Sequence, residues 1–190
     1  MTGSAQVKEF FEQHAGQWDQ MHQGFYSTDV IDALAEHSAL APEAHLVDVG
    51  TGTGFIAGGL AARARRVTGT DSSPAMLAQA RANLNELGIS NVALVEAPVE
   101  RLPLGDHSAD AAVANMVLHH VPDPAAMITE MARVVRRGGT VAITDCIEHD
   151  HEWMRAEHAD LWLGFAPEQM QRLFATAGLA DYDYTCLGTA

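Results

Sequence analysis

The residues best suited to chemistry form one glycine-rich stretch, VDVGTGTG, near residue 50 of the sequence. An apolar run ends in Asp48, and the glycines that follow stand at alternate positions, with Thr51 between the first two. A glycine turn that joins a strand to a helix directs backbone N–H groups and the positive end of the helix at whatever lies above it. The stretch therefore predicts a loop that binds a ligand, although such a turn can also serve only to pack a helix on a strand.

Two phosphate-binding loops with similar spacing are disfavoured. If the dinucleotide pattern G-x-G-x-x-G starts at the first glycine of the loop, its third glycine is replaced by Phe55. If the pattern starts at the second glycine, its third glycine is replaced by Ala57, and this alignment is excluded only if glycine is strictly required. The P-loop needs a lysine, whereas Lys8 is the only lysine in the chain. Asp48 would repel a pyrophosphate and favour a cation. S-adenosylmethionine carries an ammonium and a sulfonium and fits best, while a nicotinamide dinucleotide remains an alternative.

A second carboxylate supports a nucleoside ligand. Asp71 follows the glycine turn by about 20 residues, at the predicted end of the second strand in RVTGTDSS. A carboxylate at this place can accept hydrogen bonds from both ribose hydroxyls. Asp71 can also serve as a simple N-cap for a helix that starts at Pro74. The combination with the glycine loop favours the ribose role.

The elements that position these residues alternate between short apolar runs and longer amphipathic segments, which is typical of an α/β fold with a mostly parallel sheet. Because such a sheet binds its ligand outside the carboxyl ends of its strands, the helical stretches before the first strand can form a cover over the site. The pattern predicts strands at residues 46–49, 66–70, 92–95, 111–115 and 140–144. It predicts helices at 5–21, 28–40, 55–64, 74–87 and 124–136, within 151–161, and from 167 onwards.

The boundaries of several elements carry local signals. Pro74 and Pro124 each follow capping residues, Asp123 in the second case, and so mark the first turns of two helices. The sequence RRGG predicts the end of the second of these helices, with basic residues at its negative pole. The segment ADYDYTCLGT, residues 180–189, reads as a final strand that contains Cys186.

Composition limits the classes of partner. The chain of 190 residues carries a formal net charge of −14, which disfavours nucleic acid and anionic lipid as partners. Two cysteines and no long apolar run predict a soluble, cytoplasmic protein without disulfides or membrane spans. We expect one domain over residues 1–190, divided into a helical cap at 1–42 and a core at 43–190.

Three segments together resemble a known family: VDVGTGTG, GTDSSPAMLAQAR and VEAPVERLPLGDHSADAAVANMVLHHVPDPAAMITEMARVVRRGGTVAITD. They are similar to the class I S-adenosylmethionine-dependent methyltransferases, in particular the group that includes the ubiquinone and menaquinone biosynthesis methylases. The resemblance covers about residues 5–178 and implies a Rossmann-like, doubly wound sheet with N-terminal capping helices. It implies methyl transfer from S-adenosylmethionine to a small-molecule acceptor.

The resemblance also assigns residues to parts of the cofactor. The glycine loop would surround the methionine end, Asp71 would bind the ribose, and the segment before LP would contact adenine. The end of the fourth strand would line the site near the methyl group. The residues so implied are Asp48, Gly50, Thr51, Gly52, Gly54, Asp71, Ser72, Met76, Pro98, Val99, Glu100, Asn115 and Met116.

The end of the chain departs from the family pattern. This fold normally closes with an antiparallel pair of strands, and the sequence provides at most one of them. We therefore expect a sheet that lacks its last antiparallel strand, with an edge that is exposed or covered by a partner subunit, as in a homodimer. The same feature supports an alternative function, a catalytically silent protein that binds S-adenosylmethionine or S-adenosylhomocysteine as a regulator or partner.

Candidates for the acceptor side are mostly histidines. His119 and His120 follow the fourth strand, and His119 is preferred as a general base. Among the N-terminal aromatic residues, Trp18 and Tyr26 are expected to line the pocket, and Tyr26 is a further catalytic candidate. The histidines after the fifth strand, His149 and His151, could form a metal site with nitrogen and oxygen ligands together with His119, His120, Asp145 and Glu148, which should lie nearby in the fold. We predict no metal, because these histidines lack a reliable ligand spacing and are typical of solvated residues at the start of a helix.

A second resemblance concerns the region after the fifth strand. Residues 146–179 are similar to the corresponding part of methyltransferase domains that are fused to ArsR-type repressors. Arsenite is nevertheless disfavoured as the acceptor, because it prefers several soft cysteine ligands. Only Cys146 is well placed for that role.

Overall fold

The structure, a computed structural model, describes residues 3–18 and 29–188. Its centre is a sheet of five parallel strands in the order β3-β2-β1-β4-β5. The order reverses between β1 and β4, so the carboxyl ends of these two strands flank the crevice where such sheets bind ligands. The strands are β1 (His45–Val49), β2 (Arg66–Asp71), β3 (Val92–Glu96), β4 (Ala109–Asn115) and β5 (Val135–Thr144).

Helices cover both faces of the sheet, which confirms the predicted doubly wound α/β architecture. They are α1 (Gly3–His14), α2 (Asp29–His37), α3 (Phe55–Leu60), α4 (Pro74–Glu86), α5 (Pro124–Val134), α6 (Trp153–Glu157) and α7 (Pro167–Thr176), with short 3-10 turns at Ala61–Arg63 and Leu118–His120. One core joins β1 and β4 to α5 and α7, and the opposite core joins them to α2 and α3. None of the described helices is both long enough and apolar enough to cross a membrane.

Two helix starts follow the capping signals of the sequence. The side chain of Ser73 accepts a hydrogen bond from the N–H of Met76 at 3.1 Å, and Pro74 opens α4. The carboxylate of Asp123 accepts one from the N–H of Ala126 at 3.1 Å, and Pro124 opens α5. Each cap satisfies one of the N–H groups that a helix start leaves without a partner.

The prediction that RRGG ends a helix was wrong. The helix α5 ends at Val134, and the sequence RRGG lies inside β5. Arg136 donates a hydrogen bond from Nε to the carboxylate of Asp110 on β4 at 2.6 Å, so the basic residue binds the neighbouring strand instead of a helix end. A β-bulge between Ala109 and Ala111 gives this pairing its irregular register.

The predicted final strand was also wrong, because residues 180–188 form no strand. Tyr182 instead packs its ring against Phe174 on α7 at a centroid distance of 5.5 Å, and its hydroxyl donates to the carbonyl of Pro167 at 3.3 Å. Cys186 is exposed in this segment. Within the described residues the sheet contains no antiparallel strand, and β5 pairs only with β4.

Candidate active site

A cleft opens at the carboxyl edge of the sheet, between the ends of β1, β2 and β4 and beneath α1. Its empty space, including the part open to solvent, is about 970 Å³. All the cofactor residues named from the sequence line this cleft except Gly54. They are Asp48, Gly50, Thr51, Gly52, Asp71, Ser72, Met76, Pro98, Val99, Glu100, Asn115 and Met116.

Asp48 is almost completely buried at the floor of the cleft, with 1% of its surface exposed. The hydroxyl of Thr51 donates a hydrogen bond to its carboxylate at 2.6 Å. Burial raises the pKa of Asp48 to about 7, although the bonds from Thr51 and from the backbone of Ala57 oppose this shift. The floor of the cleft therefore holds a carboxylate that a cation would stabilise in its ionised form.

The three glycines of the loop serve different purposes, although all have a positive φ. A Cβ on Gly50 would lie 2.6 Å from the side chain of Val117, so this position leaves no room. A Cβ on Gly54 would lie 3.3 Å from Ala80 on α4, which makes Gly54 a packing residue between α3 and α4. Gly52 differs, because a Cβ there would meet no protein atom within 4 Å and would point into open space.

Asp71 connects the glycine loop to β2. Its carboxylate accepts hydrogen bonds from the N–H groups of Gly52 and Ser73, both at 2.9 Å. Because Ser73 is the N-cap of α4, the simple capping role considered for Asp71 is taken by another residue. Burial raises the pKa of Asp71, while these backbone bonds lower it in part. A carboxylate has capacity for about four hydrogen bonds, which leaves acceptor sites for the hydroxyls of a ribose.

One wall of the cleft comes from the end of β4. Asn115 accepts a hydrogen bond at its Oδ1 from the hydroxyl of Thr144 on β5 at 2.7 Å. Met116 adopts a φ of 55°, a left-handed conformation that strains a residue with a side chain, and its N–H donates to the carbonyl of Thr144 at 2.8 Å. Strain of this kind gathers at functional sites, where the surrounding bonds hold it in place.

The two histidines after β4 occupy different positions. His120 lines the cleft, and its ring meets that of Phe11 edge-on at 4.9 Å. His119 does not line the cleft and is buried behind it, where its Nδ1 lies 2.7 Å from Oδ1 of Asp145. Of the pair, His120 is thus the one that a bound molecule reaches. Tyr26, the other catalytic candidate, lies outside the described residues.

His119 also faces a second acid, Asp160, from the segment that follows α6. The N–H groups of Leu161 and Trp162 both donate to the carbonyl of His119, at 2.9 and 3.0 Å, and so bring Asp160 to the histidine pair. Burial would lower the pKa of His119, but the two carboxylates outweigh it and the net shift is upward. Asp160 was missed from the sequence, since nothing in its spacing marks it.

The roof of the cleft comes from α1 and the residues after it, through Val7, Lys8, Phe11 and Trp18. Trp18 was expected to line the site and does so, and Phe11 lines it as well. The helix α1 therefore both lines the cleft and packs on the rest of the protein, because Phe11 also belongs to a small core with Trp18 and Met76. The helix α2 packs in the core beside α3 and does not line the cleft. The remaining lining residues were not predicted from the sequence; they are Thr53, Phe55, Ile56, Val117, Val121 and Pro122.

Comparisons with known proteins show the family of the chain. The family described as "Methyltransferase domain" matches residues 47–143. The 2-methyl-6-phytyl-1,4-hydroquinone methyltransferase of Arabidopsis thaliana is 30% identical over 169 residues, which cover 87% of this chain and 49% of that protein. The ubiquinone biosynthesis O-methyltransferase of Alkalilimnicola ehrlichii is 41% identical over 97 residues, which cover 50% of this chain and 39% of that protein.

A solved structure supports the fold. The methyltransferase crystallised with the methyltransferase activator of Haloferax volcanii superposes with a TM-score of 0.77 at 24% identity, covering 88% of this chain and 75% of that one. The chain belongs to the class I S-adenosylmethionine-dependent methyltransferase family, as the residues predict, and S-adenosylmethionine is the cofactor of that family. The chain spans about half the length of the curated relatives it matches.

The different surroundings of the glycines allow a controlled test of the cofactor site. Gly52→Ala and Gly88→Ala place a Cβ at similar positive φ values, 53° and 68°, and neither Cβ meets protein. Both should lower the free energy of unfolding by about 1–2 kcal/mol because of the left-handed backbone. Only Gly52→Ala should weaken S-adenosylhomocysteine binding, by roughly tenfold or more, in a calorimetric titration. Equal affinities in the two variants would contradict the placement of the ligand over Gly52.

The raised pKa of Asp48 predicts that cofactor affinity depends on pH. The ammonium group of the ligand favours the ionised carboxylate, so below the pKa of about 7 a proton must leave Asp48 when the ligand binds. Affinity for S-adenosylhomocysteine should therefore fall on going from pH 8 to pH 6, by up to roughly tenfold per pH unit below 7. The Asp48→Asn variant should bind weakly with little change over this range. A pH dependence as steep as that of the wild type in this variant would exclude Asp48 as the responsible group.

Proposed function

We propose that this protein transfers the methyl group of S-adenosylmethionine to a small molecule with an aromatic ring that carries hydroxyl groups. The observation that carries the methyl-donor part is the pair of buried acids, Asp48 and Asp71, joined through the glycine loop at the end of β1 and β2. One suits the ammonium of the methionine end, and the other suits the ribose. Their separation by a tight backbone turn matches a ligand that has both groups.

The remaining cofactor residues follow from this orientation. With the ribose on Asp71, the adenine would lie toward Met76, Val99 and Glu100, which line the cleft beyond the end of β3. With the amino acid end over Asp48 and the glycine loop, the sulfonium would point toward Asn115 and Met116. The methyl group would then face the part of the cleft that carries His120.

Methyl transfer of this kind needs positioning more than acid or base chemistry. The methyl carbon forms a bond to the acceptor atom while its bond to sulfur breaks, and the electron pair of that bond remains on sulfur. The proton that a hydroxyl acceptor loses in this step passes to solvent water. A site that aligns the two reactants can supply much of the rate by itself. We propose that His120 meets the acceptor and orients it by a hydrogen bond. His119, preferred from the sequence, acts on the reaction only through its neighbours because its ring is buried.

The acceptor class is proposed on two grounds. The walls at the acceptor end carry Phe11, Trp18 and the ring of His120, which suit a flat aromatic molecule. Relatives that match most of this chain are named as methyltransferases of a phytyl hydroquinone. A hydroquinone or catechol is therefore the first class to examine.

We propose further that residues 1–190 form one domain in the cytoplasm with α1 as its cap. We also propose that a second copy of the chain covers the open edge of β5.

Label transfer tests the activity. Incubation with methyl-labelled S-adenosylmethionine and a panel of simple hydroquinones and catechols should place label in the organic extract, and Gly52→Ala should reduce it in parallel with cofactor affinity. Gly88→Ala serves as the matched control and should retain the activity of the wild type. Binding of S-adenosylhomocysteine without label transfer to any phenolic, amine or thiol acceptor would instead favour the silent binding protein, which the named relatives do not support.

A further inference from the structure

The buried carboxylate of Asp160 has surroundings that its present contacts do not explain. Its surface is 3% exposed, and neither of its carboxylate oxygens has a hydrogen-bond donor among the described residues. An ionised carboxylate without hydrogen bonds is costly in a protein interior. A native site of this kind therefore points to a missing partner, such as a bound ion.

Two histidine nitrogens face one of these oxygens. Nε2 of His119 and Nδ1 of His120 each lie 3.7 Å from Oδ1 of Asp160, and the three ligand atoms all lie within 4.8 Å of one another. Ligand atoms at roughly 2.0–2.1 Å from one zinc ion in a tetrahedron are about 3.3–3.4 Å apart. The two distances to Oδ1 of Asp160 thus exceed the tetrahedral separation by only about 0.3–0.4 Å.

The outer contacts also suit a metal. Asp145 lies with Oδ1 at 2.7 Å from Nδ1 of His119, so that nitrogen can donate its proton to the carboxylate and leave Nε2 as the ligand atom. Zinc-binding histidines are commonly held by a carboxylate in this manner. Asp145 is itself fixed by the N–H groups of Leu118 and Cys146, at 2.9 and 2.8 Å. A further buried nitrogen without a hydrogen bond, Nε2 of His149, belongs to a residue that interacts electrostatically with Asp160.

We propose that His119 Nε2, His120 Nδ1 and the carboxylate of Asp160 form a binding site for a divalent metal ion of the zinc class. Two imidazoles and one carboxylate suit zinc and neighbouring first-row metals rather than magnesium or calcium, which prefer oxygen ligands alone. Three protein ligands leave a fourth position for water or for an oxygen of a bound molecule. Because His120 also lines the cleft, the metal would fix the acceptor end of the site.

The metal would also define the chemistry that His120 offers to the cleft. In the present structure Nδ1 of His120 lies 3.3 Å from the carbonyl of Ala159, a long hydrogen bond that a metal on this nitrogen would replace. The proton of the neutral ring would then reside on Nε2. His120 would orient an acceptor as a hydrogen-bond donor. The site is separate from the one proposed for the methyl donor, so each can be tested without the other.

Zinc titration of the full chain, stripped of metals with a chelator, tests the proposal. Calorimetry should show one equivalent of zinc per chain, and cobalt in its place should give the intense visible absorption of a tetrahedral site. Asp145→Asn should weaken zinc binding by roughly 10–100-fold, since it removes an outer contact. Asp160→Asn should weaken it further. His151→Gln, which changes an exposed histidine, is the control and should bind zinc as the wild type does.

Unfolding temperatures measured with and without metal separate this site from a purely structural ion pair. Zinc should raise the unfolding temperature of the wild type relative to that in chelator, because it binds the folded chain, and should raise that of Asp160→Asn much less. The proposal is overturned if the wild type binds no stoichiometric zinc, or if Asp160→Asn binds zinc as tightly as the wild type.

Discussion

The site depends on one constraint, the burial of a carboxylate beneath a backbone turn. Asp48 lies at the floor of the cleft, where the hydroxyl of Thr51 is its one side-chain hydrogen-bond partner among the residues that the structure describes. The backbone turn above Asp48 can adopt this path only because Gly50 has no side chain, since a side chain there would collide with Val117. The same turn directs the N–H of Gly52 to Asp71, so one loop fixes two acids from neighbouring strands. Their mutual repulsion adds to the effect of burial on Asp48, and a cation between them would relieve both.

The carboxyl edge of the sheet is divided between two tasks. The ends of β1 and β2 carry the acids and the glycine loop, whereas the segments after β4 and β5 carry the histidines with Asp145. Val117 joins the halves, because it packs against Gly50 and precedes the turn of His119 and His120. The cleft thus places a donor-binding half beside a half that is available for the acceptor, as a two-substrate transfer requires.

Local patterns in the sequence were sufficient for much of this arrangement. The strands are short apolar runs, and the capped helices begin at prolines after capping residues, so no distant contact is needed to recognise them. The glycine loop was recognisable for the same reason, and the family resemblance extended the set to residues such as Met76 and Asn115. These are the positions that line the cleft in the structure.

Features that depend on distant contacts were not predictable. The sequence RRGG has the composition of a helix end, but the ion pair of Arg136 with Asp110 on β4 draws it into a strand. Tyr182 has the composition of a strand residue and packs instead on α7. Asp160 reaches His119 through backbone bonds across about 40 residues of chain, and no local pattern encodes that approach.

A crystal structure with S-adenosylhomocysteine tests the central claim most directly. The account predicts that the amino acid end lies over Asp48 and Gly50, that the ribose hydroxyls bind the carboxylate of Asp71, and that the sulfur faces Met116. A ligand bound elsewhere, or one whose ribose makes no contact with Asp71, would contradict it.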